Sequence, residues 1–239
     1  MKLLILAAAA AAMLSPGAAD AQTVAGAVAA PEGQRWSEVV TKTDAGGYLM
    51  GNPDAPVKVV EYASLTCGHC AHFATEGEAP LKADYVDTGR VSFEFRNYTL
   101  NVVDVAATLV ARCGSERDFF PMVEAMYADQ QGWFQSMIPQ FQALLGAIDA
   151  LPIAEQLPRI AEVGRLKGYA AARGIDGARV DACLADPAAL EELRLLRASA
   201  ERDYQVHGTP TFVVNHVRAT DYNQWNGLKP ALDRALAAK

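Results

Sequence analysis

The chain has 239 residues, of which 51% are hydrophobic, and a formal net charge of −7 at pH 7. This apolar content is ample for a folded core, and the length suits one large domain or a domain that carries an insertion. The acidic balance, without any block of Lys and Arg, argues against binding to nucleic acid or to a strongly anionic membrane surface.

The first 21 residues predict a secretory signal peptide that is cleaved before Gln22. Lys2 precedes an apolar run over residues 3–14, and Ala-Asp-Ala at residues 19–21 has the small-residue pattern of a cleavage site. A membrane anchor is the alternative, but a run of about a dozen apolar residues is short for a span of about 20. We therefore expect a mature chain of 218 residues (239 − 21) that is soluble outside the inner membrane.

The first part of the mature chain, residues 22–54, is rich in Ala and Gly and weakly patterned, which indicates an arm or strand edge anchored by Trp36. The turn residues of Gly51–Pro56 then precede VKVVEYAS, a short run rich in β-branched residues that predicts a buried strand. From Cys67 the pattern is helical as far as Gly89, with a kink expected at Pro80.

The next segment, RVSFEFRNY, predicts a half-buried strand, because Val91, Phe93 and Phe95 alternate with polar residues. The order strand, C-x-x-C, helix, strand indicates a βαβ unit whose cysteines follow its first strand. About a hundred residues of helical pattern follow, and the last of these helices should begin at Asp186-Pro187, a capping residue before Pro.

The β pattern returns only at HGTPTFVVN, residues 207–215, and a last helix is predicted over about residues 222–238. The sequence therefore predicts an α/β domain that a helical insertion divides into two parts. The predicted segments are the signal peptide (1–21), the arm (22–54), the first part of the core (55–103), the insertion (104–204) and the second part of the core (205–239).

The stretch SLTCGHCAHF, residues 64–73, contains the C-x-x-C pair Cys67 and Cys70. This spacing alone is compatible with half of a metal site, a structural crosslink or a redox-active dithiol. All four cysteines lie in the exported part, the other two being Cys113 and Cys183. An even count of cysteines in an oxidising compartment makes disulfides the default expectation.

Three features in order resemble the DsbA-like thiol:disulfide oxidoreductases of the bacterial periplasm, which have the thioredoxin fold. They are Glu61 six residues before Cys67, CGHC at a helix start, and Thr209-Pro210 before the returning strand. The run GGYLMGNPDAPVKVVEYASLTCGHC is also similar to one branch of that family, and the likeness extends to the C-terminus. It implies an α/β thioredoxin fold with an inserted all-helical domain. The sequence departs from the best-studied members at Gly68, where they have Pro, and CGHC is also the motif of the eukaryotic protein disulfide isomerases.

The position of Cys67 at a helix N-terminus predicts a reactive thiolate. Unpaired backbone N–H groups and the positive end of the helix dipole stabilise a negative sulfur there, and His69 adds a positive charge when protonated. Cysteines in such places have pKa values between about 3.5 and 7.5, against about 8.5 for an ordinary thiol. Each pKa unit that stabilises the reduced form makes the disulfide more oxidising by about 30 mV. We therefore expect substrate thiolates to attack Cys67, with Cys70 as the less exposed partner sulfur.

Glu61 is predicted on a strand that is buried on both faces, where a carboxylate is costly without a role or partner. The resemblance implies that it relays protons to Cys70; a strand-end Glu that faces solvent is the alternative. It also implies that Pro210 is cis and abuts the C-x-x-C motif, and that Thr209 binds the peptide backbone of a substrate and lies near the thiolate. Without the resemblance, Thr209 and Pro210 indicate no more than an ordinary turn before a strand.

Cys113 and Cys183 lie on apolar faces of predicted helices, so both should be buried. They could be inert core thiols, but two thiols that meet in an oxidising compartment should pair. We therefore predict a structural disulfide between them, which would close a loop of 70 residues (183 − 113).

Other classes of function fit less well. A zinc site needs four convergent ligands, usually in two separated pairs, and the sequence has no second C-x-x-C, so we expect neither a metal nor another cofactor. A non-catalytic interaction protein has little reason to keep both cysteines. A disulfide isomerase or reductase of the same fold remains the alternative to an oxidase. The short arm is no obvious dimerisation domain, which favours a monomer.

The resemblance also implies the partners of such an oxidase. The substrates would be reduced, unfolded exported proteins, and a DsbB-like, quinone-linked membrane oxidase would restore the disulfide.

Overall fold

The computed structural model describes residues 26–219 and 224–239. The predicted signal peptide, residues 1–21, lies outside these ranges, and so does Tyr222, where the sequence predicts the start of the last helix. Within the described ranges, no helix combines the length and the apolar character that crossing a membrane requires.

A mixed β-sheet forms the centre of the described structure. Its strands lie in the order β1-β2-β4-β3-β5-β6. Only β3 and β4 are parallel neighbours; the other neighbouring pairs are antiparallel. The strands are β1 (Val40–Lys42), β2 (Tyr48–Gly51), β3 (Val57–Ala63), β4 (Val91–Asn97), β5 (Thr211–Val214) and β6 (Val217–Arg218).

Strand β3 leads into helix α1 (Gly68–Leu81), which begins directly after Cys67. The predicted order of strand, C-x-x-C and helix is thereby confirmed. Pro80 lies inside α1, and the chain continues into a wider π-helical turn, Lys82–Val86. Proline lacks the N–H for the usual helical hydrogen bond, so a disturbed helix is expected around it. The segment ends at Gly89, whose φ of +70° lies in the left-handed region that favours glycine.

The prediction that β4 is only half-buried is wrong. Its polar face is buried too, with Glu94 only 7% exposed, because β4 lies between β2 and β3 in the middle of the sheet. The Glu94 carboxylate accepts hydrogen bonds from Arg96 at 2.8 and 2.9 Å and from Thr43 at 2.6 Å. The alternating pattern therefore reflects a buried polar network rather than a face in solvent.

The arm contributes more to the fold than its weak pattern indicates. Strand β2 pairs with β4, with Met50 opposite Phe93, and β1 forms an edge of the sheet. The predicted anchor Trp36 is buried, and its ring N–H donates a hydrogen bond to the carbonyl of Val28 at 2.8 Å.

The helical segment between β4 and β5 packs against the sheet and forms one apolar core with it. The predicted start of its last helix is confirmed, since the Asp186 carboxylate caps α8 by accepting from the N–H of Ala188. Its helices are α2 (Val102–Ala111), α3 (Glu116–Ala128), α4 (Ser136–Ile148), α5 (Ile153–Val163), α6 (Leu166–Ala171), α7 (Gly177–Leu184) and α8 (Pro187–Tyr204). A π-helical turn, Gln131–Gln135, joins α3 to α4. After β6, α9 (Trp225–Ala237) ends the described chain.

A disulfide joins Cys113, just after α2, to Cys183 in α7, with an S–S distance of 2.03 Å. The pair spans 70 residues of sequence. The bridge therefore links the first and a late helix of the insertion.

Replacing both cysteines of this bridge, as Cys113→Ala with Cys183→Ala, should lower the free energy of unfolding by about 4 kcal/mol, because the unfolded chain regains the entropy of the long open loop. Urea unfolding measures the difference. Cys67→Ala with Cys70→Ala, which keeps the bridge, is the matched control. An unchanged free energy of unfolding, or free thiols at both positions in the unreduced protein, would contradict the assignment.

Candidate active site

The two cysteines of the C-x-x-C motif differ in exposure although only Gly68 and His69 separate them. Cys67 is the N-cap residue with extended backbone (φ −85°, ψ 119°), and it is half-exposed. Cys70 is completely buried. Both are free thiols, so the structure represents the reduced form. Only Cys67 is therefore open to attack by a thiolate from outside.

The loop before β5 lies against Cys67. The peptide bond between Thr209 and Pro210 is cis, and Pro210 is buried. The Cys67 thiol donates a hydrogen bond to the Thr209 carbonyl at 3.3 Å, across 142 residues of sequence. The Thr209 hydroxyl oxygen is buried and has no hydrogen-bond partner of normal geometry among the described residues. The fold thus brings the predicted Thr209-Pro210 loop and the C-x-x-C motif together.

Polar groups around Cys67 lower the pKa of its thiol to about 5. The largest cause is a hydrogen bond from the Cys70 side chain; the Thr209 side chain and the backbone N–H groups of Cys70 and His69 add to it, and burial opposes them. The backbone N–H groups belong to the first turn of α1, where they have no partner within the helix. A thiol with this pKa is almost fully ionised at pH 7, which makes Cys67 both a nucleophile and a good leaving group.

Glu61 and Cys70 are both buried, whereas Cys67 is half-exposed. Glu61 is 2% exposed, and its Oε1 has no hydrogen-bond partner among the described residues. Burial, followed by the charges of Glu78 and Cys67, raises the pKa of Glu61 well above its usual value. Burial, followed by the contact with Cys67 and the charge of Glu61, raises the pKa of the Cys70 thiol. The structure buries Glu61, so the solvent-facing alternative does not hold.

A second buried carboxyl, that of Glu78, lies on α1 and lines a cleft against α3. Burial, followed by the charge of Glu124, raises the pKa of Glu78 to about 8, and Lys82 opposes this effect. The Lys82 ammonium is 4.0 Å from the Glu78 carboxylate. Because the charge of Glu78 also acts on Glu61, the proton affinities of the two carboxyls are linked.

Residues 64–67, which connect β3 to α1, are held from α2 by the buried carboxylate of Asp104. One of its oxygens accepts from the N–H of Leu65 at 3.0 Å, and the other accepts from the N–H of Leu100 at 2.9 Å. Burial raises the pKa of Asp104 to about 6, although these hydrogen bonds favour the carboxylate. At neutral pH the carboxylate therefore fixes the start of the loop that carries Cys67.

The other side of the same loop is held from α3 and the residues after it. The Tyr127 hydroxyl donates to the carbonyl of Ser64 at 3.0 Å. The Gln130 amide donates to the carbonyls of Leu65 at 2.9 Å and Cys67 at 3.1 Å. Helices α2 and α3 and the residues that follow α3 therefore hold both sides of the loop.

Sequence reasoning missed Asp104, Tyr127 and Gln130. A carboxylate among the apolar positions of α2 is a signal that could have singled out Asp104, since such a group needs buried partners. Tyr127 and Gln130 carry no comparable signal, because the carbonyls that they bind are 63 and 65 residues away in the sequence.

The remaining predicted site residues occupy the rim of the site or lie outside it. Gly68 and His69 are exposed in the first turn of α1, and His69 contributes its backbone N–H to the stabilisation of Cys67. The disulfide of Cys113 and Cys183 is a separate pair. In residues 26–219 and 224–239, no group of three or more His, Cys, Asp or Glu side chains is arranged to hold a metal ion.

Comparisons with known proteins agree with this geometry. A family model described as thioredoxin matches residues 43–234. A protein of Rickettsia bellii that is provisionally named a protein-disulfide oxidoreductase is 27% identical over 199 residues, which are 83% of this chain and 68% of the relative. A Rickettsia typhi protein with the same provisional description is 28% identical and is covered over 66% of its length. The chain thus spans about two thirds of these curated relatives.

Two solved structures have the same architecture. The crystal structure of a protein-disulfide isomerase from Novosphingobium aromaticivorans has a TM-score of 0.75 and 30% identity, and the match covers 79% of this chain and 96% of that one. Wolbachia pipientis alpha-DsbA1 has a TM-score of 0.65 at 20% identity, with 80% and 92% covered. These matches confirm the predicted thioredoxin fold with its helical insertion.

The absorbance of the Cys67 thiolate should titrate with a midpoint near pH 5 in the reduced protein. Cys70→Ala should raise the midpoint, because it removes the largest cause of the low pKa, and Cys67→Ala should abolish the transition. Since the pKa is lower in the folded than in the unfolded chain, the reduced protein should gain stability as the pH rises from about 5 to about 9, and lose it as the pH falls through 5. A midpoint at the value of an ordinary thiol would contradict this assignment.

Proposed function

The chain belongs to the thioredoxin family and is a thiol:disulfide oxidoreductase, and from this premise we propose that it donates the Cys67–Cys70 disulfide to reduced, newly exported proteins. The observation that carries the proposal is the opposite behaviour of the two thiols, since the surroundings lower the pKa of Cys67 to about 5 and raise that of Cys70. A stabilised Cys67 thiolate favours the reduced form, so the oxidised form readily gives its disulfide away.

The reaction has two exchanges. A substrate thiolate attacks the Cys67 sulfur of the Cys67–Cys70 disulfide; a bond forms between the substrate and Cys67, and Cys70 departs. A second thiolate of the substrate then attacks the substrate sulfur of this mixed disulfide. The substrate gains its own disulfide, and Cys67 leaves as the stabilised thiolate. The two electrons of the substrate thiols thus end on the Cys67–Cys70 pair.

Glu61 supports the first exchange as a proton donor. Cys70 departs inside the protein, where burial makes a thiolate costly, so it needs a proton as it leaves. Glu61 is buried, its Oε1 has no hydrogen-bond partner among the described residues, and burial raises its pKa well above the usual value, which favours the protonated form. Glu61 passes this proton to Cys70 and later recovers one.

The loop at Thr209 and Pro210 forms the substrate-binding part of the proposed site. Because the Thr209 carbonyl lies 3.3 Å from the Cys67 sulfur, the backbone of a peptide that is bound at this loop places its own cysteine next to Cys67. The buried Thr209 hydroxyl has no other hydrogen-bond partner among the described residues, so it is available to the Cys67 thiolate, whose pKa it lowers.

The proposed place of action is the periplasm, which the protein reaches through cleavage of residues 1–21. There it acts as a monomer on unfolded proteins, and a DsbB-like, quinone-linked membrane oxidase returns the disulfide to Cys67 and Cys70. The basis for these partners is the signal-peptide pattern and the family resemblance.

Disulfide isomerisation is the second candidate function. Two observations favour it: the Gly68-His69 dipeptide, and the name of the Novosphingobium aromaticivorans structure, a protein-disulfide isomerase. In an isomerase the Cys67–Cys70 pair must be reduced, so that the Cys67 thiolate can attack wrongly paired disulfides. In an oxidase the pair must be oxidised, so that its disulfide can be transferred to reduced substrates.

Refolding assays separate the two functions. The oxidised protein should form disulfides in a reduced, unfolded substrate in stoichiometric amounts, and Cys67→Ala should be inactive. The reduced protein should rescue a scrambled substrate much more slowly. Efficient rescue of the scrambled substrate with little oxidation of the reduced one would contradict the oxidase and favour the isomerase.

Glu61→Gln should slow the first exchange by about 10²-fold, because general acid–base groups contribute at least about this much. The measurement is the rate at which a thiol peptide reduces the Cys67–Cys70 disulfide, as a function of pH. The midpoint of the Cys67 titration should change little. Glu76→Gln, an exposed change on α1, is the matched control. An unchanged rate and pH profile in Glu61→Gln would remove the relay from the mechanism.

A further inference from the structure

We propose that Gln130, outside the C-x-x-C motif, positions Cys67 and thereby sets how oxidising the disulfide is. Gln130 lies between the end of α3 and the π-helical turn Gln131–Gln135, and it is 8% exposed. Gln130 is a positioning residue: it acts on Cys67 through the backbone carbonyl of this cysteine and does not contact the substrate. The inference rests on the proposed role of Cys67 as the sulfur that is attacked.

The contacts of Gln130 fix the orientation of its side chain. Its amide nitrogen is 2.9 Å from the carbonyl oxygen of Leu65 and 3.1 Å from that of Cys67. Carbonyl oxygens can only accept, so the NH₂ group must face them and the amide oxygen must face away. That oxygen lies toward Gly68, at 4.0 Å from where a β-carbon on this glycine would stand. The Gln130 side chain thus binds the carbonyl of the reactive cysteine and lies near the first residue of α1.

The bond to the Cys67 carbonyl distinguishes Gln130 from the other side chains that hold the loop. Asp104 and Tyr127 bind the peptide groups of Leu65 and Ser64, earlier in the loop. The Cys67 carbonyl also accepts the N–H of Ala71 at 3.2 Å, in the first turn of α1. Gln130 therefore binds the peptide group from which that turn begins.

This placement has an electrostatic consequence for the sulfur. The backbone N–H groups of His69 and Cys70 stabilise the Cys67 thiolate only while the first turn of α1 keeps its orientation toward it. The Gln130 amide fixes that orientation, and its N–H groups also offset the negative ends of two carbonyl dipoles beside the sulfur. Without these donors the Leu65 carbonyl would lose its partner and the Cys67 carbonyl would keep only the N–H of Ala71, so the loop would move to find other partners.

The test compares variants of Gln130 that keep its volume. Gln130→Met removes both N–H donors. Gln130→Glu replaces them with a carboxyl group that, when ionised, can accept hydrogen bonds but cannot donate any. Gln131→Met and Gln131→Glu make the same changes at the exposed neighbouring glutamine and are the matched controls. The readouts are the midpoint of the Cys67 thiolate titration and the equilibrium constant of the dithiol with glutathione; urea unfolding of each variant measures any purely structural effect.

Gln130→Met should raise the Cys67 midpoint by about one pH unit and make the disulfide about tenfold less oxidising, which corresponds to about 30 mV. Gln130→Glu should have the larger effect at neutral pH, and this effect should shrink as the pH falls and the new carboxyl protonates. The Gln131 variants should match the wild type.

Wild-type values of both the midpoint and the glutathione equilibrium in Gln130→Met and Gln130→Glu would overturn the inference, whether or not these variants are less stable to urea. Because the comparison is between variant and wild type, a shift supports the inference even if the wild-type dithiol proves to be a reductant. A reducing wild type would instead count against the proposed oxidase.

Discussion

The constraint on which the active site depends is the set of hydrogen bonds that hold residues 64–67 between β3 and α1. Residues 64–66 are buried, and most peptide groups of the segment lie outside the hydrogen bonding of the sheet and the helix, so they need other partners. Asp104, Tyr127 and Gln130, all from the helical insertion, supply them at distances of 2.9 to 3.1 Å. The insertion is therefore part of the active site, because it fixes the backbone that aims the first turn of α1 at Cys67.

That backbone produces two thiols with opposite properties from one short motif. Cys67, at the helix end, has contacts that favour its thiolate, whereas Cys70, one turn further, is in an interior that favours its thiol. Glu61 shares this interior, and burial raises its pKa for the same reason. A change in burial across the first turn of α1 thus separates a thiol that favours its thiolate from a thiol and a carboxyl that favour their protonated forms.

Local patterns in the sequence predict the parts of this site that are close to the cysteines. Local signals are sufficient to predict three elements. The β-branched run predicts β3, the helical pattern after Cys67 predicts α1, and the cap at Asp186 predicts the start of α8. Patterns fail where a contact joins distant segments: Glu94 alternates with apolar residues as in a solvent-facing strand, but its carboxylate is buried and accepts from the Thr43 hydroxyl at 2.6 Å. Strand β2 lies in a weakly patterned arm and is a strand because it pairs with β4. The role of Gln130 cannot be predicted for the same reason, since no pattern near residue 130 indicates that its amide binds the carbonyls of Leu65 and Cys67.

Stabilisation of the Cys67 thiolate should raise the reduction potential of the Cys67–Cys70 pair. The equilibrium of the wild-type pair with glutathione measures this potential directly. We expect a strongly oxidising couple, with a potential well above thioredoxin's value of about −270 mV and within about −120 to −180 mV. A potential at or below about −270 mV would contradict the oxidase, because the surroundings of Cys67 would then favour the reduced form no more than those of thioredoxin do.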